Sequence, residues 1–104
     1  MARSPRLSEP LVLVLSDLLQ ARSQWRYGYD LTRITGVSAG TLYPLLVRLA
    51  DAGWLAAKWE ERHDGGRPPR HLYRLTAEGR RAARELLQRA ANRGWTAALL
   101  PRPT

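Results

Sequence analysis

The sequence predicts an α+β fold in a single domain, with helices first, then a two-stranded hairpin, then a last helix. Three observations predict it. Apolar residues follow the i, i+3, i+4, i+7 spacing of helices as far as Gly53, the period changes to two between Leu55 and Trp59, and helical spacing returns after Thr76. At 104 residues the chain has the size of one domain. Folding at this length buries only roughly 60 to 70% of the unfolded surface, so a large enclosed active site is not expected.

Ser8 is placed to cap the first helix, with Glu9 suited to the helix dipole and Pro10 tolerated in the first turn. That helix is predicted from Glu9 to about Arg22. Leu11, Val12, Leu13, Val14, Leu15, Leu18 and Leu19 cover more of its circumference than one buried face needs. A second surface must cover the excess, either another subunit or the rest of this small domain. The stretch YGYDLTRITG, from Tyr27 to Gly36, predicts a short second helix stopped by its glycine. Ser38 then opens a third helix in which Leu42, Leu45, Leu46 and Leu49 form the apolar stripe and which Gly53 ends. Two short helices joined by a tight turn are a helix-turn-helix, whose second helix offers its N-terminal residues to base edges in the DNA major groove. Gly40, Pro44, Val47, Arg48 and Asp51 lie opposite the leucine stripe, with Tyr43 at its flank. This is the face free to meet DNA. Pro44 lacks the donor that would bond Gly40, so a bent start is expected here.

Leu55, Ala57 and Trp59 alternate with Ala56, Lys58 and Glu60, as in a strand with one buried face, and a second strand is predicted from His71 to Thr76. The connection HDGGRPPR, rich in glycine and proline, reads as a long hairpin tip carrying Arg67 and Arg70. Such a loop is a wing. Thr76 caps a final helix with Glu78 in its first turn, running through Ala83, Leu86, Leu87 and Ala90 to Asn92 or beyond, and either continuing to Leu100 or breaking at Gly94. The whole is a winged helix-turn-helix with an N-terminal helix: residues 8–76 form its core and residues 77–100 the C-terminal helix.

Seventeen basic residues against nine acidic ones give a net charge of +8 and a pI near 11.2. A polyanionic partner is expected, nucleic acid first. Arg80, Arg81, Arg84, Arg89 and Arg93 read as the solvated face of the last helix. The absence of cysteine excludes disulfides and thiolate zinc sites and fits a cytoplasmic protein. The longest apolar run, Leu11 to Leu15, falls well short of the roughly 20 residues a membrane span needs, and no signal peptide is expected. GVSAG, from Gly36 to Gly40, matches the G-x-S-x-G pattern of hydrolases, but that elbow needs a strand before the serine and a large sheet behind it. A helix precedes Ser38 here, and the histidines, His63 and His71, fall on the hairpin. No enzyme activity is expected. His63, Asp64 and His71 lack a fourth ligand and a second shell, so no metal and no cofactor are expected either.

GYDL (Gly28 to Leu31), SAGTLYPLLVRLADAGW (Ser38 to Trp54) and RPPRHLYRLTAEGRR (Arg67 to Arg81), with LAAKWEER between the last two, resemble the PadR family of bacterial transcriptional regulators. The resemblance covers about Tyr27 to Leu87, and TLYPLLVRL followed by YRLTAEG is its specific part. TRITGVS is short where many members have extra residues, so the turn geometry is not carried over. The brief C-terminal part resembles the small subclass with a single C-terminal dimerisation helix. The resemblance implies a homodimeric DNA-binding regulator, often a repressor, released by a small molecule or another signal. It places Ser38, Gly40, Thr41, Tyr43 and Pro44 at the DNA-facing start of the recognition helix, and Arg67 and Arg70 on the wing. Arg48 is open between a phosphate contact and an ion pair with Asp51. The implied dimer forms through the first and last helices, at Leu11, Leu15, Leu86, Ala90 and Trp95. Trp95 reads first as interface packing and, by the resemblance, as a stacking platform for a small hydrophobic or aromatic effector.

Together these features predict a regulator that reads a near-palindromic operator, with half-sites about one helical turn, roughly 34 to 36 Å, apart. Two other readings use the same charge: a winged-helix module binding an acidic protein partner, and an architectural DNA-binding protein without sequence preference.

Overall fold

The computed structural model describes residues 6–61, 65–66 and 68–95. Along the chain run α1 (Glu9–Ala21), β1 (Arg26–Tyr27), α2 (Gly28–Thr35), α3 (Ala39–Asp51), β2 (Leu55–Trp59), β3 (His71–Leu75) and α4 (Ala77–Asn92). The strands form one antiparallel sheet in the order β1-β3-β2, with Leu55 opposite Leu75, Trp59 opposite His71 and Arg26 opposite Tyr73. This is the winged helix-turn-helix that the periodicity predicts, with β1 added.

Local chemistry sets the helix ends. The Ser8 hydroxyl accepts a hydrogen bond from the Leu11 amide at 3.3 Å, and Pro10 sits in the first turn of α1. Gly36 closes α2 in the left-handed conformation at φ 76°, which a Cβ would disfavour. The Thr76 hydroxyl accepts from the Gly79 amide at 2.9 Å and lies 2.7 Å from the Gly53 carbonyl, to which it donates. One side chain thus caps α4 and ties it to the turn after α3. The two segments also touch at Gly79, where an added Cβ would collide with the Trp54 carbonyl.

The core decides between the two covers that the sequence left open for α1. Leu11, Val12, Val14 and Leu15 are fully buried by this chain alone, together with Leu18, Leu31, Leu42, Leu46, Leu49, Leu75 and Leu86. The apolar excess of α1 is therefore covered within the protomer, by α4 on one side and by α2, α3 and β3 on others. Even Asp17 is buried, and its carboxylate accepts from Arg26 Nε at 3.1 Å and Nη2 at 3.4 Å. That ion pair fastens β1 to α1.

A correction concerns β2. Leu55 is buried, but Ala57 and Trp59 are exposed although they share its face of the sheet. The strand runs out past the helices, so its outer half has no core to enter. At the base of this projecting wing the Glu60 amide donates to the Arg70 carbonyl at 2.8 Å, and the Tyr27 hydroxyl donates to the Glu60 carboxylate at 2.9 Å. The last helix ends at Asn92 rather than continuing unbroken: Gly94 takes φ 85° and the Trp95 amide turns back to the Ala90 carbonyl at 3.0 Å. Residues 96–100 of the expected helix lie outside the described residues.

Candidate nucleic-acid interface

The leucines at positions 42, 45, 46 and 49 anchor α3 in the core, which turns Ser38, Gly40, Thr41, Pro44, Val47, Arg48 and Asp51 to solvent. Ser38 holds the N-cap position, yet its hydroxyl lies 3.4 Å from Thr41 Oγ1 and makes no bond to the helix backbone. Pro44 is accommodated inside α3 on this open side. Pro44 has no amide hydrogen, so the Gly40 carbonyl lacks the helical bond that residue 44 would otherwise donate. A Cβ at Gly40 would meet nothing within 4 Å, so packing does not require the glycine. Among the described residues Arg48 makes no ion pair with Asp51, which leaves its guanidinium free for an external anion or base.

Tyr43 behaves differently from its neighbours. Its ring leans onto Gly28, where an added Cβ would sit 2.8 Å from both Cε1 and the hydroxyl oxygen, and only 40% of the residue is exposed. It bridges α3 to the start of α2. Burial first, and then the nearby Tyr43, raise the Tyr73 pKa above its usual 10.0. Tyr73 is therefore a neutral phenol at neutral pH, hydrogen-bonded to His71 Nδ1 at 3.3 Å. Trp59 stacks on His71 with centroids 3.7 Å apart. A row of rings thus runs from the wing to the recognition helix, beside a cleft of about 420 Å³ lined by Tyr27, Tyr29, Tyr43, Arg70 and His71 among others.

Arg70 is exposed at the wing base with its guanidinium 5.5 Å from the Tyr27 ring centroid, a cation–π distance that holds the charge at the rim of this cleft. Arg67, His63 and Asp64 lie outside the described residues. No group of three metal-ligating side chains occurs among the described residues, and His71 is engaged in the ring stack. Sequence reasoning missed Tyr29, Trp59 and Tyr73 in this region. Their signal was aromatic residues on a short helix and a projecting hairpin, of which the core takes in Tyr73 and leaves Tyr29 and Trp59 exposed.

The residues expected at a dimer interface do not come together as an exposed patch. Leu11, Leu15 and Leu86 have 0% exposure within one protomer and Ala90 has 2%, so they form the α1–α4 core and have no surface to offer a partner. Trp95 is half-buried against that same core, as is Leu87.

Among the described residues no helix is long and apolar enough to cross a membrane. No curated protein matches the chain. Among solved structures, a PadR family transcriptional regulator from Eggerthella lenta is 37% identical, with a TM-score of 0.64 over 78% of this chain and 73% of that one. A PadR-like transcription factor from Bacteroides fragilis is 30% identical, with a TM-score of 0.62 over 78% and 82%. PadR of Bacillus subtilis, solved with operator DNA, shares the fold at 22% identity and a TM-score of 0.59, over 71% of this chain and 45% of that one. The model of the transcriptional regulator PadR-like family matches residues 17–85, and its members are regulators and not enzymes. With that match over more than half of its length, the chain belongs to the PadR-like family of transcriptional regulators.

Proposed function

We propose that the chain is a sequence-specific DNA-binding regulator, acting as a homodimeric repressor on a near-palindromic operator, in the cytoplasm, and released by a small hydrophobic effector. The observation that carries the DNA reading is the exposed start of α3, with Ser38, Gly40, Thr41, Pro44 and Arg48 on one open face beside a basic wing bearing Arg70. The operator complex of Bacillus subtilis PadR supports it, because that neighbour shares this fold. In this reading α3 enters the major groove and Arg70, with Arg67, meets phosphate. Tyr43 acts through its grip on α2, fixing how the recognition helix is presented.

The dimer in this reading uses apolar surface that one protomer leaves half-covered, Leu87 and Trp95, and not the fully buried leucines. Trp95 at that seam is also the proposed contact for an effector. Such a ligand can release DNA only by favouring a dimer geometry with another helix spacing.

A salt titration of the purified protein on a fragment from its own upstream region, against a shuffled fragment of equal length, tests the reading. Selective binding that survives near-physiological salt is the expected result. Equal, salt-fragile binding to both fragments would instead favour the architectural role, and weak association with any polyanion the acidic-partner role.

A further inference from the structure

The exposed surface of α3 offers few side chains that read bases by hydrogen bonds: Arg48 for guanine, Asp51 for cytosine and the less selective Thr41 hydroxyl. Its sequence, AGTLYPLLVRLAD, contains no Asn or Gln, the residues that read adenine through paired hydrogen bonds in the major groove, and no Lys or Glu. Arg48 is the single guanine-reading type it offers. It also exposes apolar surface: Val47 is 59% exposed, and Pro44 lies three residues before it on the same open face. A valine at this level of exposure gains little for folding, since most of its surface stays in water. Tyr43, the aromatic residue nearest this face, is turned toward Gly28 and Tyr73.

An apolar side chain in the major groove has one complementary feature to meet, the C5-methyl group of thymine. We propose that Val47, with Pro44, determines operator specificity by selecting thymine through this methyl group, and that Tyr43 is a positioning residue. The inference rests on the reading of α3 as the recognition helix. With adenine's paired readers absent from α3, an A·T pair is distinguished from its thymine side, and Arg48 is left to mark guanine or phosphate.

The experiment starts from a preferred duplex selected by the purified protein from a random pool. Each dT of that duplex is then replaced singly by dU, which removes one methyl group and leaves every hydrogen-bonding group in place. Burial of one such carbon is worth about fourfold in affinity, so one or two positions per half-site are expected to weaken by about that factor. Val47→Ala, at an exposed position that leaves the fold intact, is expected to lose a similar factor on the dT duplex and to become indifferent to dU at those positions. Tyr43→Phe, which keeps the ring on Gly28, is expected to retain the wild-type dU response. Selective binding with no dU effect anywhere would overturn thymine selection while leaving the DNA reading standing. A dU effect undiminished in Val47→Ala would overturn the assignment to Val47. Failure of the pool to yield any preferred duplex would overturn the underlying reading, and this inference with it.

Discussion

Gly40 and Gly79 are both helical glycines, and the structure asks opposite things of them. At Gly79 a methyl group would collide with the Trp54 carbonyl, where α4 presses on the chain leaving α3. Gly79→Ala is therefore expected to lower stability by about 3 kcal/mol, the upper end for overpacking, because the obstacle is backbone and cannot rotate away. At Gly40 a methyl group would meet nothing, and an exposed helical glycine costs up to about 1 kcal/mol relative to alanine. Gly40→Ala is expected to raise the midpoint of urea unfolding. If the start of α3 approaches DNA closely, the same change weakens duplex binding by about tenfold, the worth of roughly one lost contact of 1.4 kcal/mol. Greater stability with unchanged DNA affinity would remove Gly40 from the interface. The pair separates a glycine kept for folding from one kept for something outside the chain.

At the scale of elements, α1 carries polar groups that its neighbours treat very differently. Asp17 is paired with Arg26, whereas the buried Ser16 hydroxyl has no hydrogen-bond partner among the described residues. Asp17→Ala is expected to cost about 2 kcal/mol, below the full cost of breaking a buried pair, since Arg26 keeps about a quarter of its side chain in water. Ser16→Ala removes an unsatisfied buried group from a helix and is expected to stabilise the fold by about 1 kcal/mol. Thermal or urea unfolding of the two variants checks both signs. The sequence made α1 legible as a helix through its caps and leucines, and α2, α3, β3 and α4 through theirs. It did not reveal β1, because two residues cannot show a period and Arg26–Tyr27 is held by pairing with β3 and by Asp17, which lies nine residues away. The alternation in β2 was real, but alternation marks a face and not what covers it, and beyond Leu55 that face is exposed. In α1 the apolar excess was also real, yet whether it faced a partner or the same protomer depended on how closely α2, α3, β3 and α4 surround it. Of the candidate site, the open face of α3 was legible from its leucine stripe. The turning of Tyr43 onto Gly28 was not, since it joins residues on two helices whose crossing no local pattern encodes.

For the whole molecule, charge offers a count of how many chains sit on DNA at once. Each phosphate neutralised by a basic residue contributes about −0.9 to the slope of log affinity against log salt. If Arg70 contacts one phosphate, Arg70→Ala flattens that slope by about 0.9 for a bound monomer and by about 1.8 for a bound dimer. Arg70→Lys keeps the charge and is expected to keep the slope. An unchanged slope in Arg70→Ala would withdraw the residue from phosphate contact. The count then meets an independent test of the dimer in Leu87→Arg, which places a charge on the half-buried apolar strip of α4 and leaves the fully buried α1–α4 core untouched. Sedimentation of this variant is expected to give the mass of one chain, and its binding to a single half-site to match wild type while its advantage on a full operator disappears. A variant that stays dimeric would move the interface away from Leu87. A monomeric variant whose Arg70→Ala slope change falls from about 1.8 to about 0.9 would tie the dimer in solution to the complex on DNA, since the same arginine would then be counted once where it had been counted twice.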